Sequence, residues 1–191
     1  MKAYLLSNKV WDQRKIVTVE DILSKDFEGE EGYSSLFAFE ESEITFHKSE
    51  HKTFAAYAGK VYGKWIVLDI DSSEPLESLT RKIVPLLDDL ELFGVPYHLF
   101  FSGNKGFHLY MHKKWFLYPE DLDGRFNEVS RIFAHHIAKT YDLEHEIDLS
   151  IYDKVRIFRI PYSVHPVTNN QKIKLIYHSE SDKPEEILRY Q

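Results

Sequence analysis

Trp65-Ile66-Val67-Leu68-Asp69-Ile70-Asp71 is a nearly unbroken apolar run that ends in two aspartates. Its length and its β-branched residues read as a central strand, buried on both faces over most of its course. Alternation along such a strand places Asp69 and Asp71 on one face and Ile70 on the other. Two adjacent carboxylates repel, and a hard divalent cation such as Mg²⁺ or Mn²⁺ is the usual means of holding them together. A D-x-D pair can also be a solvated strand end. The apolar residues leading to this one favour ion binding over casual exposure.

About thirty residues on stands Ser102-Gly103-Asn104-Lys105-Gly106-Phe107-His108. Glycines let a backbone approach an anion closely, while Ser102 and Lys105 add a hydroxyl donor and a positive charge. The spacing is not that of a Walker A loop, and no helix opens after it, which excludes a P-loop. A plain hairpin turn would need Gly and Asn but not Ser, Lys or His. His108 alternates with Tyr110, away from Phe107, Leu109 and Met111, and so stands on the polar side of its strand.

A third constellation runs from Ile147-Asp148 through Asp153, Arg156 and Arg159 to Ser163 and His165. Asp148, after an apolar residue, is placed to complete a three-carboxylate site of the kind a two-metal displacement uses. Asp153 is its competitor. Arg159 alternates with Val155 and Ile157 and is expected to point inward, where a guanidinium needs an anion.

Between these blocks the pattern is mixed α/β of the α+β kind, with antiparallel hairpins in place of regular βαβ alternation. The aromatic and polar alternation of Ser34 to Gly63 predicts strands joined by a polar turn at Ser49-Glu50-His51-Lys52. Leu76, Leu79, Ile83, Leu86, Leu87 and Leu90 predict a helix, kinked or broken at Pro85 and ended at Gly94-Val95-Pro96. Tyr97 to Phe101 and Phe107 to His112 predict a strand hairpin. Pro119 to Tyr141 predicts the longest helix, with Leu122, Phe126, Val129, Ile132, Phe133, His136 and Ile137 on its apolar face. Late strands are expected at Val155 to Ile160 and Ile173 to Tyr177, and a short helix after Pro184.

The chain has 191 residues, 43% of them hydrophobic and 15% aromatic, enough for one principal domain with a packed core. We expect an N-terminal unit over 1–64, a core over 65–178 and a tail over 179–191. With no cysteine, disulfides and thiolate zinc sites are excluded. No apolar run is long enough to cross a bilayer and no signal peptide is evident, so a cytoplasmic, intracellular location without membrane contact is expected. The net charge of −7 is uneven. Between Glu20 and Glu50 ten acids face only Lys25 and Lys48, whereas from Ser150 to Lys174 five cations face Asp153 alone. Acidity is thus a property of one N-terminal segment, and the later blocks are locally basic.

The ordered set Leu68-Asp69-Ile70-Asp71, Ser102-Gly103-Asn104-Lys105-Gly106-Phe107-His108, Ile147-Asp148 and Arg159-Ile160-Pro161-Tyr162-Ser163-Val164-His165 resembles the archaeo-eukaryotic primase superfamily, the primase-polymerases. The resemblance spans Trp65 to about Asn169. It implies a catalytic core like an RNA-recognition motif with an added N-terminal α/β unit, and template-directed nucleotidyl transfer with release of pyrophosphate. By this likeness Asp69, Asp71 and Asp148 hold two Mg²⁺ or Mn²⁺ ions. Ser102, Gly103, Lys105, Gly106 and His108 bind the incoming NTP or dNTP, and Arg159, Ser163 and His165 contact phosphate or sugar. A single-stranded DNA template is the implied partner. A helicase or accessory primase subunit is expected to supply strand initiation, because this chain has neither the zinc-binding module nor the helical accessory region of some members.

Two other functions use the same residues differently. A metal-dependent phosphohydrolase or nuclease would use the same carboxylates, although Ser72-Ser73-Glu74 replaces the Gly-Thr turn that a haloacid-dehalogenase-like phosphatase carries after its second aspartate. A non-catalytic nucleic-acid-binding subunit would use the aromatic residues for stacking and leave the clustered aspartates without a role.

Overall fold

In a computed structural model, described over residues 1–116 and 124–176, the chain is a mixed α+β fold built on two antiparallel sheets. The first sheet contains β1 (Lys2–Ser7), β2 (Lys15–Val17), β3 (Tyr33–Ser35), β4 (Ala38–Glu40), β5 (Val61–Tyr62) and β9 (Ile157–Arg159), in the order β5-β4-β1-β3-β9 with β2 paired to β1. The second contains β6 (Trp65–Asp71), β7 (Tyr97–Phe101), β8 (Gly106–His112) and β10 (Ile173–Ile176), in the order β10-β7-β8-β6. Strand β9 joins the first sheet although it lies far along the chain, in the segment read as the core. The expected tail over 179–191 and the helix after Pro184 lie outside the described residues, as does the start of the helix predicted from Pro119.

Four helices accompany the sheets among the described residues: α1 (Val19–Leu23), α2 (Glu41–His51), α3 (Leu76–Leu92) and α4 (Phe126–Thr140). Helix α2 corrects the expectation of strands throughout Ser34 to Gly63. Glu41 and Glu43 sit in its first turn and Lys48 and His51 in its last, a charge order that the helix dipole favours, and Lys52 closes it in a left-handed conformation at φ 59°. Only Ile44 of this helix is buried, so aromatic spacing was a poor guide: Phe46 stands 67% exposed.

Helix α3 buries Leu79, Ile83, Leu86, Leu87 and Leu90 as predicted, whereas Leu76, expected on the same face, is 37% exposed in the first turn, and Gly94 follows the helix end at φ +64°. It runs through Pro85 without ending there. Helix α4 buries Phe126, Ser130, Ala134, Ile137 and Ala138, whereas the predicted face residue Ile132 is 71% exposed and His136 is exposed as well. The small side chains of Ser130 and Ala134 turn inward, which lets the helix come close to the neighbouring strands and rotates its buried face from the one the bulkier residues suggest.

The second sheet positions the carboxylates. Strand β6 pairs with β8 along its whole length, Asp69 opposite His108 and Asp71 opposite Gly106, and β7 pairs with β8 as the predicted hairpin. Leu86 and Leu90 of α3 and Phe133 and Ile137 of α4 line one cavity with Met111 of β8, so the helices lie on the face that carries Met111 and Leu109. The opposite face carries Asp69, Asp71, His108, Tyr110 and Phe100. The order β6-α3-β7-β8-α4 follows a β-α-β-β-α-β unit as far as its fifth element. In an RNA-recognition motif the last strand then lies beside the first. Here that edge of β6 is taken by the segment after α4: Asp71 N–H donates to the Glu146 carbonyl, Asp148 N–H to the Asp69 carbonyl, and Ile70 bridges to Ile147. Strand β10 pairs with β7 instead.

Pro85 tests how well the helix tolerates its break. A proline in an exposed helix interior costs about 3 kcal/mol relative to alanine. Pro85→Ala is therefore expected to stabilise the protein by roughly 1–3 kcal/mol, read as an upward shift of the urea midpoint at unchanged slope. An unchanged or lower midpoint would mean that the ring makes compensating contacts.

Candidate active site

Where β9 crosses the polar face of the second sheet, a cleft of about 310 Å³ opens. Asp69, Asp71 and His108 line it from the second sheet, Ser102 and Asn104 from the β7–β8 turn, and Tyr33, Phe158 and Arg159 from the first sheet. His165 lines it from the segment after β9, and Val10, Arg14 and Arg156 stand at it as well. Thus Asp69, Asp71, Ser102, His108, Arg159 and His165, proposed from sequence, share one cleft.

The turn residues explain themselves by contact. Gly106 faces Asp71 across the β6–β8 pair, and a Cβ there would lie 2.2 Å from the Asp71 carboxylate and 2.1 Å from the Ile70 carbonyl. Only glycine leaves room for the carboxylate beside that strand. Gly103 has φ +87°, and a Cβ there would meet the Asn170 carbonyl at 2.7 Å and Arg159 Nη1 at 3.1 Å. Ser102 is 3% exposed; its Oγ accepts from Gly106 N–H, so it braces the turn as well as lining the cleft. Lys105 is exposed, with Nζ 3.9 Å from Asp71 Oδ2.

Asp69 is the inner carboxylate. Burial, and then the charge of Asp148, push its titration up to about 6. Asp71 is also raised, by burial and then by Asp69. His108 Nε2 lies 3.4 Å from Asp69 Oδ1, but burial and the cations Lys172 and Arg159 hold the imidazole far below its ordinary range, so it is neutral. Its ring stacks on Phe158 at 4.2 Å, and its Nδ1 is buried without a partner among the described residues.

Asp148 stands beside Asp69 through the backbone pairing, while its carboxylate accepts from Ser150 N–H at 2.8 Å and Ser150 Oγ–H at 3.0 Å. It caps the short 3₁₀ turn Leu149–Tyr152 and is not part of the cleft lining. Asp153 is exposed and accepts from Val155 N–H, the local bonding of a turn. Among the described residues no three His, Cys, Asp or Glu side chains already stand as a ligand set. The donors nonetheless suit a hard cation, because all are carboxylate oxygens and the inner pair repel. Asp69 and Asp71 would hold it, and Asp148 could join only by exchanging its bonds to Ser150.

Cationic and donor groups face the carboxylates. Arg159 is 9% exposed; its Nη2 donates to the Ser102 carbonyl, and its Nη1 is buried without a partner among the described residues. Buried guanidinium N–H groups are costly unless paired, so this one leaves a donor with unused hydrogen-bonding capacity at the cleft. His165 Nδ1 accepts from the backbone N–H groups of Val167 at 3.2 Å and Thr168 at 3.3 Å. Burial and Arg159 lower its titration. The neutral ring therefore carries its proton on Nε2 and offers a donor. Ser163 is fully buried and donates to the Ile160 carbonyl at 2.7 Å; it shapes the turn that carries His165 and does not line the cleft.

Lys172 is the residue that sequence reading missed. It is completely buried; its Nζ donates to Tyr110 Oη at 2.8 Å and to the Arg159 carbonyl at 2.7 Å, over the rings of Phe100, Tyr110 and Phe158. Burial and Arg159 lower its titration far below the ordinary lysine range, against the opposing pull of Asp69. Lys172-Ile173-Lys174-Leu175 alternates as an exposed lysine face would, yet Lys172 and Lys174 are buried while Ile173 and Leu175 are 41% and 45% exposed. The alternation alone gives no local signal of this burial.

No protein-family model and no curated protein matches this sequence. Among solved structures, the chain is similar to the polymerase domain of Mycobacterium tuberculosis Ligase D in complex with DNA, at 15% identity and a TM-score of 0.49. The match covers 83% of this chain and 58% of that one, so the chain spans less than two thirds of that domain.

The raised titration of Asp69 makes a pH prediction for the metal-free protein. A carboxyl that titrates near 6 when folded and near 3.8 when unfolded binds more protons in the folded state, so stability falls as pH rises between those values. The loss is on the order of 2–3 kcal/mol and is complete above the folded value. Asp69→Asn is expected to match wild type below pH 4 and to exceed it by about that amount above pH 6, measured by urea unfolding with chelator present. Parallel pH profiles for the two proteins would refute the assignment.

Proposed function

We propose that this chain is a metal-dependent nucleotidyltransferase of the primase-polymerase kind, adding nucleotides from NTPs or dNTPs to a strand on a single-stranded DNA template. The observation that carries this reading is the opposition, within one cleft, of two repelling carboxylates and a buried guanidinium with an unsatisfied N–H. A triphosphate offers what both sides lack: oxygens for ions bound at the carboxylates and anionic phosphates for Arg159, His165 and Lys105.

In this reading Asp69 and Asp71, joined by Asp148 on exchange of its bonds to Ser150, would hold Mg²⁺ or Mn²⁺, which would supply charge neutralisation for phosphoryl transfer. The protein's own part is positioning. Arg159 Nη1 and His165 Nε2–H donate to phosphate oxygens, Lys105 adds a mobile charge at the rim, and Gly103 and Gly106 leave the room that Arg159 and Asp71 need at the site. Neutral His108 keeps Asp69 in place and adds no further charge to the base of the site. A strand 3′-hydroxyl displaces pyrophosphate, and no side-chain nucleophile takes part. A phosphohydrolase or nuclease would use the same ions, but its product would be shortened or dephosphorylated nucleic acid.

Extension of a labelled primer on a single-stranded template, with each nucleotide set and Mg²⁺ or Mn²⁺, tests the reading. Wild type is expected to lengthen the primer, and Asp69→Ala and Asp71→Ala to abolish this without loss of fold. Degradation in place of extension would favour the hydrolytic function, and wild-type extension by either variant would remove the carboxylates from the chemistry.

The phosphate contacts make a separate prediction. Arg159→Ala and His165→Ala are expected to weaken triphosphate binding by on the order of 1.5–3 kcal/mol, the worth of a charge-assisted bond, and monophosphate binding by less. Equal losses for the two ligands in a calorimetric titration would move these residues to the base, the sugar or the core.

A further inference from the structure

The cleft has a rim that the proposed chemistry does not use. Residues 8–14 form the loop between β1 and β2, and its Val10 and Arg14 line the cleft. Between them Trp11 stands 77% exposed, with Val10 itself 41% exposed. A scattered surface apolar residue needs no explanation. An indole carried into solvent by a loop whose Val10 and Arg14, on either side of it, reach the arginine-lined side of the cleft is a different matter.

The loop is also built to hold that place. Ser7 Oγ–H donates to the Lys9 carbonyl at 2.5 Å and Asp12 N–H to the same carbonyl at 3.1 Å, which folds the loop on itself. Arg14 Nη1 donates to the Val155 carbonyl at 2.7 Å, tying the loop to the segment that precedes β9. Arg14 and Arg156 both line the cleft and repel one another, with Asp153 the counter-charge that acts on Arg14. The rim therefore presents an exposed aromatic face on the loop that carries Arg14, tied to the segment that carries Arg156, two like charges that a phosphate would relieve. Single-stranded nucleic acid supplies both missing partners, a flat base and a phosphate.

We infer that the β1–β2 loop is a docking edge for single-stranded nucleic acid, on which the Trp11 indole stacks against a base while Arg14 and Arg156 take the adjoining phosphates. The inference rests on the nucleotidyltransferase reading for the direction in which the strand would be used, but not for its binding. Stacking of this kind tolerates any base, because every base has an aromatic face, which suits an edge that must pass a template of arbitrary sequence.

Fluorescence anisotropy with a labelled single strand of about 12 nucleotides, within the span of such sites, tests it in chelator without nucleotide or metal. DNA and RNA strands of one sequence distinguish the two sources of the same chemistry. Trp11→Ala is expected to lose about tenfold or more in affinity and Trp11→Phe to stay near wild type, since a phenyl ring still stacks. Arg156→Ala is expected to lower the slope of log affinity against log salt by about one, and Trp11→Ala to leave that slope unchanged. Strand binding is also expected to quench tryptophan emission in wild type by an increment that Trp11→Phe lacks.

Failure of the wild type to bind either strand overturns the inference, as does equal affinity of wild type and Trp11→Ala. Loss of nucleotide affinity but not strand affinity in Trp11→Ala overturns it too, by assigning the ring to the incoming nucleotide. A protein that binds strands through Trp11 but does not extend primers would keep the edge and lose the nucleotidyltransferase function. Primer extension by a protein whose Trp11→Ala variant binds normally would do the reverse.

Discussion

One buried lysine amine, that of Lys172, joins the two sheets beside the cleft. Lys172 donates to Tyr110 Oη on the second sheet and to the Arg159 carbonyl on the first, and three aromatic rings surround it. Desolvating a lysine costs several kcal/mol unless its donors are satisfied. These bonds therefore constrain where β9 can lie, and β9 in turn sets Phe158 on His108 and Arg159 on the Ser102 carbonyl. Replacing one partner alone would leave a buried polar group exposed to the full penalty.

From that constraint follows the electrostatic character of the cleft. Asp69 feels Asp148 and the apolar surroundings on one side and Lys172, Arg159 and Arg156 on the other. Burial and the neighbouring acid prevail over the cations, leaving a carboxyl that titrates close to neutrality. His108, surrounded by the same cations, stays neutral and cannot serve as the counter-ion. Among the described residues only the Lys105 cation, at the rim, pairs with one of the cleft carboxylates, at 3.9 Å from Asp71, and in the proposed function the capacity that remains serves a ligand that carries both metal ions and phosphates.

The parts of this site that follow local rules were legible in the sequence. Strand periodicity placed Asp69 and Asp71 on one face, and the two glycines of the β7–β8 turn marked the close approach that Gly106 makes to Asp71. What long-range packing decides was not legible. The edge of β6 is occupied by Glu146 to Asp148, a pairing set by the return of the chain after α4, and this displaces the last strand to β7. Lys172 was counted only as part of a basic run, because its burial depends on rings from β7, β8 and β9 that no local pattern brings together. Helix α2 was obscured by aromatic residues, one of which faces solvent. Ser163 was assigned to phosphate or sugar by motif, whereas its hydroxyl is committed to the turn before His165.

Asp69 and Asp71 repel in the free protein, and the proposed function requires a divalent cation to relieve them. Calorimetric titration with Mn²⁺ near pH 6, repeated in buffers of different ionisation enthalpy, measures both the affinity and the protons released. Wild type should bind Mn²⁺ and release protons near pH 6, with release declining above pH 7 as Asp69 is already ionised. Asp69→Asn should lose most of the affinity and the proton release together. Mn²⁺ binding of equal affinity in the two proteins, or binding without proton release at pH 6, would contradict the account.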